Sequence, residues 1–135
     1  NEDEFTFYNV VSGNGGNGLR IHNSHNTVVQ ANFFGMAADN GLLNPDNPHL
    51  IGNQLNGVLV EGWSSNTQFG GPIPLGNVVA ANGKHGIEIR DGASRFVSDN
   101  TFGGMGAFNN STKFGNKLDG IHITSIGGNI VIETS

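Results

Sequence analysis

One nine-residue pattern returns four times without a gap. It reads GNGGNGLRI at 13–21, GNQLNGVLV at 52–60, ANGKHGIEI at 81–89 and GNKLDGIHI at 115–123. The rule is small–Asn–x–x–[Asn/His/Asp]–Gly–aliphatic–x–aliphatic, and every copy obeys every constrained column. The closing pairs Leu19/Ile21, Val58/Val60, Ile87/Ile89 and Ile121/Ile123 have period two, as in a short strand with one buried face. Each strand follows a glycine (Gly18, Gly57, Gly86, Gly120), itself preceded by Asn17, Asn56, His85 or Asp119. These are the residue types most tolerant of positive φ, so the pair is expected to make a sharp turn. Asn14, Asn53, Asn82 and Asn116 stand four residues before that glycine. They are expected to cap a bend or to stack as an amide ladder.

The motif glycines lie 39, 29 and 34 residues apart. A constant strand motif on loops of varying length suggests stacked coils with insertions on one side. A shift of 68 also lays Asn9-Val10-Val11 on Asn77-Val78-Val79 and Asn14 on Asn82. Strands this short cannot fold alone, and stacking pairs each in parallel with its equivalent one coil later. The inward columns are then Leu19–Val58–Ile87–Ile121 and Ile21–Val60–Ile89–Ile123, with further strands at 27–29, 78–79, 96–97 and 130–132. An antiparallel sandwich also spaces strands closely, but leaves a fixed turn motif at long intervals unexplained. The expected fold is all-β, a parallel β-helix of about four to five coils in one domain over 1–135.

Composition agrees. Gly contributes 22 residues and Asn 20 of 135, while only 13% are charged. A helical bundle would want Ala, Glu, Lys and Leu instead. Hydrophobic residues still make up 36%, including nine Phe, more than a disordered chain carries. A net charge of −5 with no basic cluster argues against nucleic acid. No apolar run approaches the roughly 18 residues of a membrane span. The absence of Cys removes disulfide scaffolds and thiol chemistry. Without an initiator Met or a leader, the chain reads as a segment of a longer array.

The strings NVVSGNGGNGLRI, NTVVQANFFG, GNQLNGVLVEG, NTQFGG and GNVVAANGKHGIEI resemble the right-handed parallel β-helix repeats of the pectin-lyase-like superfamily. They are most similar to the repeat arrays of large secreted or surface-anchored bacterial proteins. The resemblance implies right-handed coiling and an extracellular or cell-surface location in bacteria. It covers the chain from about Asn9 onward and departs at Met36-Ala37-Ala38-Asp39, where the family continues with a threonine-aspartate turn.

Enzymes of that superfamily act on polysaccharides, so their motifs are the ones to test. Its galacturonan hydrolases carry an Asp-Asp pair and a His-Gly segment. This chain has Lys84-His85-Gly86 but no Asp-Asp pair. A glycosidase needs two carboxylates at a set separation, which leaves His85 as a turn residue. The acidic residues Asp39, Asp46, Glu61, Glu88, Asp91, Asp99 and Asp119 form no calcium-loop spacing. Asn47-Pro48-His49 lacks the carboxylates of the epimerase segment it resembles. His22 and His25 suggest no third metal ligand. Neither metal nor cofactor is therefore expected, and no catalytic residue is assigned.

The residues alternating with the inward columns should form an outward strip. One column holds Arg20, Leu59, Glu88 and His122, the next His22, Glu61, Arg90 and Thr124, with neighbours about 4.8 Å apart. The strip reads as a charge-complementary sheet or, with Trp63 beside it, as a shallow surface for a polysaccharide or cell-surface glycan. The stretch 36–51 is a candidate binding loop, and Asn109 and Asn110 head glycosylation sequons. Regular repeats without catalytic carboxylates point to a non-catalytic stalk, filament or adhesin segment capable of end-to-end self-association. The alternative is a polysaccharide lyase, glycoside hydrolase or epimerase, or a fragment of one. Ice binding fails for want of outward Thr-x-Thr columns.

Overall fold

A computed structural model describes residues 8–35, 52–72, 74–99, 102–103, 115–124 and 128–133. The candidate loop 36–51 and the sequons at Asn109 and Asn110 lie outside the described residues, as does 1–7. Among the described residues there are twelve strands and no helix, hence none long and apolar enough to cross a membrane.

The strands are β1 (Asn9–Val11), β2 (Leu19–His22), β3 (Val28–Val29), β4 (Asn32–Phe34), β5 (Val58–Glu61), β6 (Ser65–Gly70), β7 (Val78–Val79), β8 (Ile87–Ile89), β9 (Ser94–Asp99), β10 (Phe102–Gly103), β11 (Ile121–Ile123) and β12 (Val131–Glu133). They form three four-stranded sheets, ordered β1-β4-β7-β10, β2-β5-β8-β11 and β3-β6-β9-β12. Every pairing is parallel. The chain thus visits the three sheets in strict rotation, four times over.

The second sheet holds the motif in the expected register. Leu19, Val58, Ile87 and Ile121 stand side by side, as do Ile21, Val60, Ile89 and Ile123. Burial is complete only in the middle: Val58, Val60, Ile87 and Ile89 are inaccessible, whereas Leu19 and Ile121, on the edge strands, are partly open. Three phenylalanines from two of the sheets complete the core. Phe34 stacks on Phe69 and Phe69 on Phe96, each with centroids 5.9 Å apart. Each such pair adds about 0.5–1.5 kcal/mol beyond area burial.

The asparagines form the ladder. Asn14 Nδ2 donates to Asn53 Oδ1 (2.8 Å), Asn53 Nδ2 to Asn82 Oδ1 (2.9 Å) and Asn82 Nδ2 to Asn116 Oδ1 (2.9 Å). Each acceptor oxygen also takes the backbone N–H of the preceding asparagine, at 3.1–3.2 Å. The second amide hydrogen ties in the first sheet, since Asn53 donates to Val11 O and Asn82 to Phe34 O. A second ladder runs Asn9–Asn32–Asn77.

The turn expectation needs correcting. None of Gly18, Gly57, Gly86, Gly120 or the residues before them has positive φ; that conformation falls at Gly13 and Ala81, in the motif's first column, and at other corners such as Gly62 and Asp91. At Gly18, Gly57 and Gly86 the motif glycine is required by space. A Cβ on Gly57 would meet Val79 Cγ1 at 2.7 Å, Asn82 Nδ2 at 2.8 Å and Gly86 O at 2.8 Å. The ladder asparagine of the next strand occupies the room a side chain would need.

Candidate functional site

The residue before the motif glycine also has a different task. Asn17 Oδ1 accepts the Asn56 N–H (3.1 Å), Asn56 Oδ1 accepts the His85 N–H (3.1 Å), and His85 Nδ1 accepts the Asp119 N–H (3.2 Å). Asn, His and Asp share an acceptor one bond beyond Cγ or within the ring, which is what this column uses. The sequence showed the shared residue types; the acceptor role was the part it hid.

The outward strip is open at its ends and closed at its centre. Arg20 and His22 on β2 are exposed, but Leu59 and Glu61 on β5 are each 4% accessible and Glu88 on β8 is 8%. A central strand has neighbours on both sides, and here their long side chains lie across it. Glu61 Oε2 takes Arg20 Nε, and Oε1 takes Arg90 Nη2 at 2.9 Å and Nε at 3.2 Å. His22 Nδ1 stands 3.3 Å from Oε2. Burial alone would raise the Glu61 carboxyl, but the hydrogen bonds and charges of Arg90 and Arg20 outweigh it, holding the group below its ordinary value. The hydrogen bond to Glu61 raises Arg90 in turn, against the cost of burial. Glu88 Oε1 accepts Asn56 Nδ2 at 2.9 Å, and its Oε2 lies 3.7 Å from Arg90 Nη1.

Trp63 sits at the end of this strip, in the turn after β5, and is 73% exposed. Asn23 Oδ1 fixes its backbone N–H at 3.0 Å. The ring lies against Gly92, where a Cβ would meet Cε3 and Cζ3 at 3.2 Å. With Asp91 and Thr124 it borders a shallow recess of about 230 Å³.

His122 separates from the rest of the strip and joins a cluster the sequence reading did not assemble. Its ring stacks on His85, centroids 4.3 Å apart and planes 11° apart. Its Nδ1 is 2.8 Å from Asp119 Oδ2, which also lies 3.4 Å from His85 Nδ1. The available signal was positional: His85 and Asp119 occupy one motif column in consecutive copies, and His122 follows Asp119 by three.

Comparison with known protein families, characterised proteins and solved structures found no match.

Proposed function

We propose that the three sheets wrap as one right-handed parallel β-helix of about four to five coils, serving as a non-catalytic structural module. In this reading it is a stalk, filament or adhesin segment of a secreted or surface bacterial protein. The single observation that carries it is the state of Glu61 and Glu88. The two carboxylates at the centre of the outward strip are buried, and each is taken up by partners from neighbouring coils. A glycosidase acid must hold a proton at working pH, and Glu61 is biased the other way. Trp63 supplies a flat apolar face beside polar groups, suited to weak contact with a glycan.

Incubation with a panel of uronate and neutral polysaccharides tests the reading. The expected result is neither unsaturated product nor new reducing ends. Turnover that vanishes in a folded Glu88→Gln or Glu61→Gln variant would establish the enzyme alternative instead. Because Trp63 is the one tryptophan, its emission reports glycan contact directly. A saturable shift with oligosaccharide, lost in Trp63→Ala, is the expected signature of the weak binding face.

A further inference from the structure

We propose that His85, Asp119 and His122 form a binding site for a divalent first-row transition-metal ion, with Zn2+ as the reference probe. One donor atom from each lies within 4.8 Å of the other two. Ligands about 2.0–2.2 Å from a tetrahedral ion stand roughly 3.3 Å from one another. The distances of 2.8 Å and 3.4 Å from Asp119 Oδ2 to the two imidazole nitrogens bracket that value.

The hydrogen bonding fixes the tautomer and orientation of one ring. His85 Nδ1 accepts the Asp119 N–H, so in the neutral ring it carries a lone pair and the proton sits on Nε2. That one lone pair is engaged by the Asp119 N–H, so a metal bound at Nδ1 displaces this hydrogen bond, and Asp119 Oδ2, 3.4 Å away, is placed as the neighbouring ligand. A cation between nitrogen and carboxylate replaces that one hydrogen bond with two coordinate bonds. Two imidazoles and one carboxylate suit Zn2+, Cu2+ or Ni2+ better than Ca2+ or Mg2+, which prefer all-oxygen shells. His85 is buried and held by the sheet, so it supplies the fixed ligand. The stacked rings do not aim both nitrogens at one point, so one must swing. His122, with 38% of its side chain exposed, is the ring placed to do it.

The test uses the whole chain after chelator treatment. Zn2+ titration by calorimetry is expected to show one equivalent, with Co2+ giving a visible ligand-field band. The imidazole resonances of His85 and His122 should shift on binding, and those of His22 and His25 should not. His85→Asn and Asp119→Asn should each weaken binding by at least about tenfold. Far-UV circular dichroism checks their folding, which asparagine at positions 17 and 56 of the same column favours. His122→Leu should do likewise, with leucine already present at position 59 of its column. The proposal is overturned by absence of binding, by affinity unchanged in folded His85→Asn and Asp119→Asn, or by wild-type ring shifts confined to other histidines. That last readout needs no variant to fold.

Discussion

Asn53 and Asn82 are bonded twice over: both the side-chain amide and the backbone N–H of Asn53 converge on Asn82 Oδ1, at 2.9 and 3.2 Å. Asn82 in turn donates to Phe34 O and Asn116 Oδ1, so all the polar capacity of this buried side chain is spent within the protein. Asn82→Ala would strand several buried groups at once and is expected to cost about 2–4 kcal/mol. Asn14→Ala, at the exposed end of the ladder, should cost about 1 kcal/mol or less. Urea unfolding of the two variants measures the contrast; equal losses would contradict a load shared along the column.

Glycine variants separate space from backbone strain. Gly57→Ala drives a methyl into Val79, Asn82 and the Gly86 carbonyl, and should destabilise by about 1–3 kcal/mol. Gly120 has nothing within 4 Å of the corresponding position and its φ is not positive, so Gly120→Ala should be nearly neutral. Thermal denaturation of both is the measurement. A shared conformational requirement for glycine would instead make the two losses alike.

The Glu61 carboxylate gives stability a dependence on pH with a definite sign. Its folded value is lowered, so the unfolded chain binds the proton more readily. The stabilisation is fully present above the unfolded value near 4.3 and is lost as pH falls through the lower folded one. Unfolding free energy measured between neutral and acidic pH should fall across that window, with a shallower fall in Glu61→Gln. At neutral pH the same variant should lose about 1–3 kcal/mol, a moderate figure because Arg20 and Arg90 both reach solvent.

Thr67, on β6, has the one buried side-chain polar atom without a hydrogen-bond partner among the described residues, its Oγ1. Thr67→Val keeps the branched shape that suits a strand while removing the unpaired hydroxyl. Stability should rise by about 1 kcal/mol. A loss on calorimetric melting would mean that the hydroxyl has a partner after all.

How much of this was legible in the sequence depended on what each column had to satisfy. The inward pairs could be read because alternation has one meaning in a short strand, and Leu19, Val58, Ile87 and Ile121 fell into register. The asparagine ladder could be read because a constant residue at constant offset must meet its own kind once strands stack in parallel. The glycine was located correctly but for the wrong cause, since a sequence shows which residue lacks a side chain and not what fills its place. Glu61 and Glu88 were expected outside, because alternation says which way a side chain points and nothing of what lies across it. Arg20 and Arg90 reach Glu61 from 41 and 29 residues away along the chain, and Asn56 reaches Glu88 from 32. The His85–Asp119–His122 cluster was missed for a related reason: each residue had a sufficient local explanation, and only the register joins them.

The asparagine ladder also has a direction. Every side-chain donor along it points toward the later strand, from Asn14 through Asn53 and Asn82 to Asn116. Its two ends are therefore unlike, one offering an amide oxygen and the other an N–H. Two copies that prolonged this column across a contact would have to meet head to tail, Asn116 of one against Asn14 of the next. Such a contact is head to tail in kind, so it never closes as a two-fold dimer and, unless its rotation closes a ring, grows an open fibre.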